Sequence, residues 1–161
     1  MKLEKIKMTE KTFEEQFPSL KGWIIENDLS PTLFPKSDSM NWVRTDKIKF
    51  IESEKKIYSR LHRFAGTLDA VGTVNGKLAL IDFKTSTGIW DDYRLQVAAY
   101  LLADEEDTMR HYDSAWIARF DKETGEFETK QIPHEEVDKD FIAFCGALKL
   151  KQRLLELKRE K

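Results

Sequence analysis

Three residues near the middle of the chain have the types and spacing for phosphate chemistry: Asp69, then Asp82 and Lys84 inside "LALIDFKT". Asp82 and Lys84 stand two apart in a stretch with strand character, so their side chains leave the same face. Asp69 lies across the Asn75-Gly76 turn signal and can approach the same end of the sheet. Paired carboxylates hold a hard divalent cation through oxygen, and such a cation polarises a phosphate and acidifies a bound water. A lysine beside them orients or deprotonates that water and offsets charge that develops in the transition state. The backbone carbonyl of Phe83 offers another oxygen, with the ring expected toward the core. Leu78 and Leu80 share the parity of Asp82 and Lys84. The charged pair therefore extends an apolar face, whereas a solvated strand keeps its polar parity along its length.

Downstream, "QVAAY" places Gln96 and Tyr100 four apart on one helical face. Gln96 can orient a water or hold a phosphate, and Tyr100 can donate to a phosphate or stack on a base; plain core packing is the competing reading. The patch "KKIYSRLHR" carries Lys55, Lys56, Arg60 and Arg63 and no acid, which suits phosphate contacts as well as it suits a charged hairpin surface. Thr85 and Ser86 follow the candidate strand and either contact phosphate or cap the strand end. Arg94 is a further phosphate candidate. Trp90 closes the site or packs at the helix start, and parity leaves the reach of Arg119 undecided. His62 reads as a rim residue. His111 and His134 lack partners at metal-ligand spacing and read as structural or solvated, while Cys145, in an apolar helical pattern, reads as a buried small side chain.

These residues need elements to hold them. Thr9 to Asn27 reads as one or two short helices around Pro18, and "LSPTLFPKSDSMN" as loop. From Ile48 the pattern turns to strands rich in β-branched and aromatic residues, with "NGK" at Asn75 to Lys77 as a hairpin turn. A helix is expected from Trp90 to Asp104. "SAWIARFD" and "FETKQI" form a second hairpin bent at Thr124 and Gly125. A last helix runs from Pro133 toward Arg159 with Val137, Phe141, Phe144, Leu148 and Leu155 as its apolar stripe, covering the sheet. Its acids come first and its basic residues last, which complements the helix dipole. The order helix, three strands, helix, two strands, helix predicts an α/β fold with a mixed sheet and helices against it.

The chain has 161 residues, of which 40% are hydrophobic and 35% charged, the composition of one globular domain. Its formal charge of -2 gives no global positive field, so any polyanion contact rests on a local patch. One cysteine excludes an internal disulfide and a tetra-cysteine cluster. No run approaches the roughly 18 apolar residues of a membrane span. With no leader-like run in "MKLEKIKMTEK", a cytoplasmic protein without membrane attachment is expected.

In order, "AGTLDAVG", "LALIDFKTS" and "LQVAAYLLA" resemble the PD-(D/E)XK nuclease superfamily, in particular the RecB-like exonuclease branch with its phage and Cas4-like nucleases. The resemblance covers Glu54 to Ala103 and continues more loosely to Ile132. It implies a restriction-endonuclease-like core, with a single nuclease domain over residues 1–161, a catalytic core at 48–132 and a poorly matched helical part at 1–47. It also implies a Mg²⁺- or Mn²⁺-dependent deoxyribonuclease. Asp69, Asp82 and the Phe83 carbonyl would be its metal ligands and Lys84 its catalytic lysine; Gln96 and Tyr100 would form the active-site face of the following helix. Glu54 matches an acidic position at the start of the family's sheet. Two departures stand out. The branch's upstream metal-binding histidine has no counterpart before His62, leaving Glu14, Glu15 or Glu54 to stand in, and a single cysteine excludes the iron-sulfur cluster of Cas4-like members. With no helix-turn-helix or zinc module for base readout, the expectation is an exonuclease acting on DNA ends or single strands, with unwinding left to a helicase or recombination partner. A structure-selective endonuclease competes with it, as does a nucleic-acid-binding or interaction protein that keeps the fold without turnover. Nothing in the sequence sets the oligomeric state.

Overall fold

The computed structural model describes Trp42 and residues 45–121 and 123–160. The expected first helix, with Glu14 and Glu15, lies outside the described residues. Five strands and two long helices follow: β1 (Lys49–Ser59), β2 (Phe64–Val74), β3 (Lys77–Thr85), α1 (Asp91–Thr108), β4 (Ser114–Phe120), β5 (Phe127–Pro133) and α2 (His134–Arg159). They form one sheet in the order β1-β2-β3-β4-β5. All neighbouring pairs are antiparallel except β3 and β4, which run parallel because α1 carries the chain back across the sheet. This is the mixed sheet with helices against it that the element order predicts.

The turn between β2 and β3 has Asn75 at φ 52° and Gly76 at φ 82°. Two consecutive left-handed residues make a type I′ turn, whose twist matches that of the flanking strands and which asparagine and glycine tolerate best. Asn75 is also tied to Asp46, backbone N–H to carbonyl at 2.7 Å and side-chain amide to carboxylate at 3.1 Å.

Each face of the sheet has its own core. Ile57, Leu68, Val71, Leu80, Ile117 and Ile132 pack under α1 and the first turns of α2 through Val97, Leu101 and Val137. Trp42, Ile48, Ala70, Val74, Ile81 and Ala118 pack on the other face, with Phe50, Phe83, Trp116 and Phe127 around them. Leu68 and Val71 share a cluster although they are three apart, so the two-residue alternation of β2 breaks at Asp69-Ala70. Its partner β1 breaks in step: Glu52 and Lys55, also three apart, both pair with groups at the end of α1. Between them Glu54 takes φ 51°, and a bulge shifts the register between Phe50 and Glu52.

Helix α1 runs one turn beyond its expected end. An acidic run at a helix C-terminus opposes the dipole, and here tertiary partners offset it. Asp104, fully buried, meets Lys55 at 2.6 Å and the Tyr112 hydroxyl at 2.6 Å. Glu106 accepts the Ser59 hydroxyl and the N–H groups of Arg60 and Leu61, closing the β1–β2 turn. The helix ends at Met109, left-handed at φ 58°, whose N–H returns to the Glu105 carbonyl.

The last helix departs from expectation. Of its stripe only Val137 is buried; Phe141, Phe144 and Leu148 are half-buried and Leu155 is exposed. A helix of 26 residues extends about 39 Å, well past a five-stranded sheet about 20 Å across. Only its first turns therefore cover the sheet. Cys145 is half-buried on α2, not enclosed, with its sulfur 3.6 Å from His62 Nδ1.

Candidate active site

Asp82 sits in the second half of β3 with 2% of its surface exposed, on the face that α1 covers. Its Oδ2 has no hydrogen-bond partner of good geometry; instead it lies 2.9 Å from Lys84 Nζ as an ion pair. Asp69 reaches over from β2, where its Oδ2 accepts the Phe83 N–H at 2.8 Å. The last cross-strand partners of β2 and β3 are Ala70 and Ile81, so beyond them the Asp69 side chain takes up a strand N–H that β2 no longer pairs. The Phe83 ring stays on the far face among Phe50 and Phe120. The sequence thus brings two carboxylates and one ammonium to the point where the hairpin strands part.

Burial pushes the Asp82 carboxyl up to about 6; the Lys84 ammonium opposes the shift and the Asp69 carboxylate adds to it. Asp69 is raised by burial as well, against the Phe83 N–H and Lys84, with Glu54 adding to the rise. Two desolvated carboxylates with one cation between them leave negative charge uncompensated. A hard divalent ion would compensate it. The donors fit such an ion: two desolvated carboxylates whose combined charge exceeds that of the one ammonium beside them.

The lysine is held from two further sides. Lys84 Nζ donates to Gln96 Oε1 at 2.7 Å and lies 5.1 Å from the centroid of the Tyr93 ring. An ammonium only donates, so it fixes the Gln96 amide with its oxygen inward and its nitrogen toward Tyr100. That nitrogen donates to the Tyr100 hydroxyl at 2.9 Å. Gly66 makes room for this tyrosine: a Cβ there would stand 2.5 Å from Tyr100 Cε1 and 2.9 Å from its hydroxyl. Gly66, Asp82, Lys84, Gln96 and Tyr100 therefore form one connected set across two strands and a helix. Glu54 joins by charge, at the kink beside Asp69.

Other candidates are placed elsewhere. Lys55 is committed to Asp104 and Glu52, and Arg94 to Asp140 at 2.8 Å and Glu136 at 3.4 Å. Both cations thus neutralise acids of the protein itself. Arg60 lies over Tyr58, bonded to its hydroxyl, and Lys56 and Arg63 are exposed on or beside the first hairpin. Thr85 is exposed at the strand end, while the Ser86 hydroxyl donates to the Gly88 carbonyl and shapes the loop before α1. Trp90 is exposed, its ring beside Gly88. Arg119 is the register partner of Lys84 but is buried and turned to Asp121 and Glu128, with one N–H to the Ser86 carbonyl. His62 packs edge-on against Phe141. The reading of His111 and His134 as residues without ligand partners needs correction: with Glu105 they gather at the far end of α1 into a donor set suited to a divalent metal. The sequence held a signal for this. Centring the second hairpin on its turn pairs Ser114 with Pro133, which brings the flanking His111 and His134 to the same sheet end.

No protein-family model and no curated protein matches the chain. Among solved structures, a candidate exonuclease from Eubacterium rectale superposes with a TM-score of 0.50 at 13% identity, covering 93% of this chain and 62% of that one. The fold is restriction-endonuclease-like. This chain therefore spans about three fifths of the length of the protein it superposes on. The alkaline exonuclease LHK-Exo from Laribacter hongkongensis superposes with a TM-score of 0.42 at 14% identity, covering 95% of this chain and 88% of that one. Among the described residues, no helix is long and apolar enough to cross a membrane.

Proposed function

We propose that this protein is a Mg²⁺- or Mn²⁺-dependent deoxyribonuclease that hydrolyses phosphodiester bonds at DNA ends or on single strands. The observation that carries the reading is the pair of desolvated carboxyls, Asp69 and Asp82, both raised by burial and served by one ammonium, Lys84, at 2.9 Å from Asp82 Oδ2. Asp104, buried as deeply, differs in having a cation and a hydroxyl of its own, Lys55 at 2.6 Å and Tyr112 at 2.6 Å. The likeness of fold to a structure described as an exonuclease supports the same reading.

In this proposal Asp69, Asp82 and the Phe83 carbonyl hold the ion. Bound there, the ion supplies Lewis acidity toward a phosphoryl oxygen and lowers the pKa of water. Lys84 carries the positive charge that meets the charge developing on the phosphoryl group, and Gln96 keeps its ammonium in place. The Tyr100 hydroxyl accepts from Gln96, so its own proton is directed outward to a phosphate oxygen or water. DNA is reached through the exposed cations Lys56, Arg60 and Arg63 rather than through Lys55 or Arg94, which are already paired.

The test is cleavage of end-labelled linear single strands, linear duplex and covalently closed circles by purified protein in Mg²⁺. Asp82→Ala loses metal binding and activity together. Lys84→Ala keeps most of the metal affinity and loses turnover by about 10²–10⁴-fold. Equal cleavage by wild type and both variants removes the assignment, and faster cutting of closed circles than of linear DNA turns it to an endonuclease.

A further inference from the structure

The far end of α1 carries a second convergence. Glu105 Oε1 lies 3.1 Å from His134 Nε2 and 3.4 Å from His111 Nδ1, and one ligand atom of each residue falls within 4.8 Å of the others. Three elements supply the donors: the last turns of α1, the connection to β4 and the first residue of α2. The surroundings hold them in place. The Tyr112 N–H donates to Glu105 Oε1 at 2.8 Å, the His134 N–H to the Asp113 carbonyl at 3.3 Å, and Asp113 bonds Leu78 through both its N–H and its carboxylate. Nine residues of helix separate Glu105 from Gln96, about 14 Å along the axis, so this cluster is apart from Asp82 and Lys84.

We infer that Glu105, His111 and His134 form a zinc site, distinct from the hard-cation site, that clamps the ends of α1 and α2 to the start of β4. Two imidazoles and a carboxylate are a donor set for Zn²⁺ and its first-row neighbours, while Mg²⁺ takes oxygen ligands. Zinc bonds of about 2.0–2.1 Å at tetrahedral angles put neighbouring ligand atoms about 3.3 Å apart; the two separations from Glu105, 3.1 and 3.4 Å, fall on either side of that value, and the third, between the histidines and within 4.8 Å, closes by rotation of the exposed His111 ring. Asp138 Oδ2 stands 3.6 Å from Nδ1 of His134, the ring nitrogen away from Glu105, beyond hydrogen-bond distance but within reach of a small side-chain rotation that would orient a ligating ring. His111 is 80% exposed in its side chain, which leaves the fourth position to water and lets the ion load from solution.

The experiment uses the full chain carrying Asp69→Asn and Asp82→Asn, so that the first carboxylate pair holds no ion, titrated with Zn²⁺ or Co²⁺ by calorimetry. The expected result is one equivalent bound, a visible Co²⁺ ligand-field band of tetrahedral type, and a Tm that climbs with Zn²⁺ but not with Mg²⁺. The same titration of the wild-type chain in saturating Mg²⁺ gives that result independently of the double variant's folding. His111→Ala, at an exposed position, weakens binding about tenfold or more and removes the Zn²⁺-dependent rise in Tm. Glu105→Gln does the same, and Asp138→Asn has a smaller effect in the same direction. No Zn²⁺ binding in either background, or full affinity in His111→Ala, overturns the site. Neither outcome depends on whether the protein cuts DNA.

Discussion

The two ends of α1 present opposite solutions to gathering metal-type donors. Near its start the carboxylates of Asp69 and Asp82 are buried, raised toward neutrality by desolvation and steadied by a single lysine. Near its end Glu105, His111 and His134 are partly open to water, and among the described residues the ion-pair partners of Glu105 are the two histidines. The first arrangement concentrates charge in a dry place, which costs stability unless an ion or a proton arrives. The second places softer donors where water can still serve. Burial and ligand type together, not the number of donors, distinguish the two sites as proposed, one to act on a charged substrate and one to hold elements together.

The largest test of that contrast is Lys84. Lys84→Arg preserves the charge but not the compact ammonium that fits between Asp82 and Gln96. It is expected to retain Mg²⁺ binding by calorimetry while its DNA cleavage falls toward that of Lys84→Ala. Wild-type cleavage by Lys84→Arg would mean that only charge is needed at this end.

Next in size is the cost of the buried carboxylate. In the metal-free folded state Asp82 holds its proton up to about pH 6, against an ordinary value of 3.8. Between these values this group binds more protons in the folded protein than in the unfolded one, so its contribution to stability falls as pH rises from about 4 to about 6 and then levels. The shift corresponds to about 3 kcal/mol, and Asp69, also raised, acts with the same sign. Glu52, Glu106, Asp121 and Glu136, lowered by their partners, act with the opposite sign. The measurement is therefore the stability of wild type minus that of Asp82→Asn in urea unfolding with chelator, which should fall from about pH 4 to about pH 6. A difference that stays flat or rises over that range would contradict the burial of charge.

Gly66→Ala probes the connected set more gently. The new methyl must displace the Tyr100 ring, the end of a side chain and not backbone, so the fold should survive while Gln96 loses its partner. Turnover is expected to drop by about tenfold, in line with one lost hydrogen bond of about 1 kcal/mol, with little change in Tm. The smallest effect is at Glu54, whose φ of 51° in mid-strand suits glycine better. Glu54→Gly should raise stability by up to about 1 kcal/mol, while Glu54→Gln, which keeps the strained backbone, should alter only metal affinity. Unchanged metal affinity in Glu54→Gln would remove Glu54 from the site.

Much of this was legible in the residues. The Asn75-Gly76 turn, the paired parity of Asp82 and Lys84, and the Gln96–Tyr100 spacing are local patterns, and each appears where its period places it. The second hairpin was equally readable from "KETGE", where the Asp121 carboxylate accepts the N–H groups of Glu123 and Thr124. What escaped is tertiary. The pairing of Lys55 with Asp104 and of Arg94 with Asp140 joins residues 49 and 46 positions apart, and no local pattern marks a cation as already spent. The simultaneous reversal of β1 and β2 at Glu54 and Asp69 breaks the alternation on which strand reading depends. The length of α2 was legible, but not that the sheet ends beneath its first turns.

The parallel pairing of β3 with β4 has a kinetic consequence. Every contact in that ladder joins residues thirty-five positions apart, as Ala79 beside Ser114 and Lys84 beside Arg119. The β2–β3 ladder instead begins at neighbours of its own turn, Val74 with Lys77. Short loops close first, because the entropy of closure grows with loop length. The hairpin therefore brings Asp69, Asp82 and Lys84 together early, while α1 and β4 are still docking. For that interval the two carboxylates face water with only one lysine between them. Refolding should accordingly quicken as divalent cation is raised, through the docking step as well as through the stability an ion at the carboxylate pair lends the finished sheet; ionic strength alone should act on the docking step only.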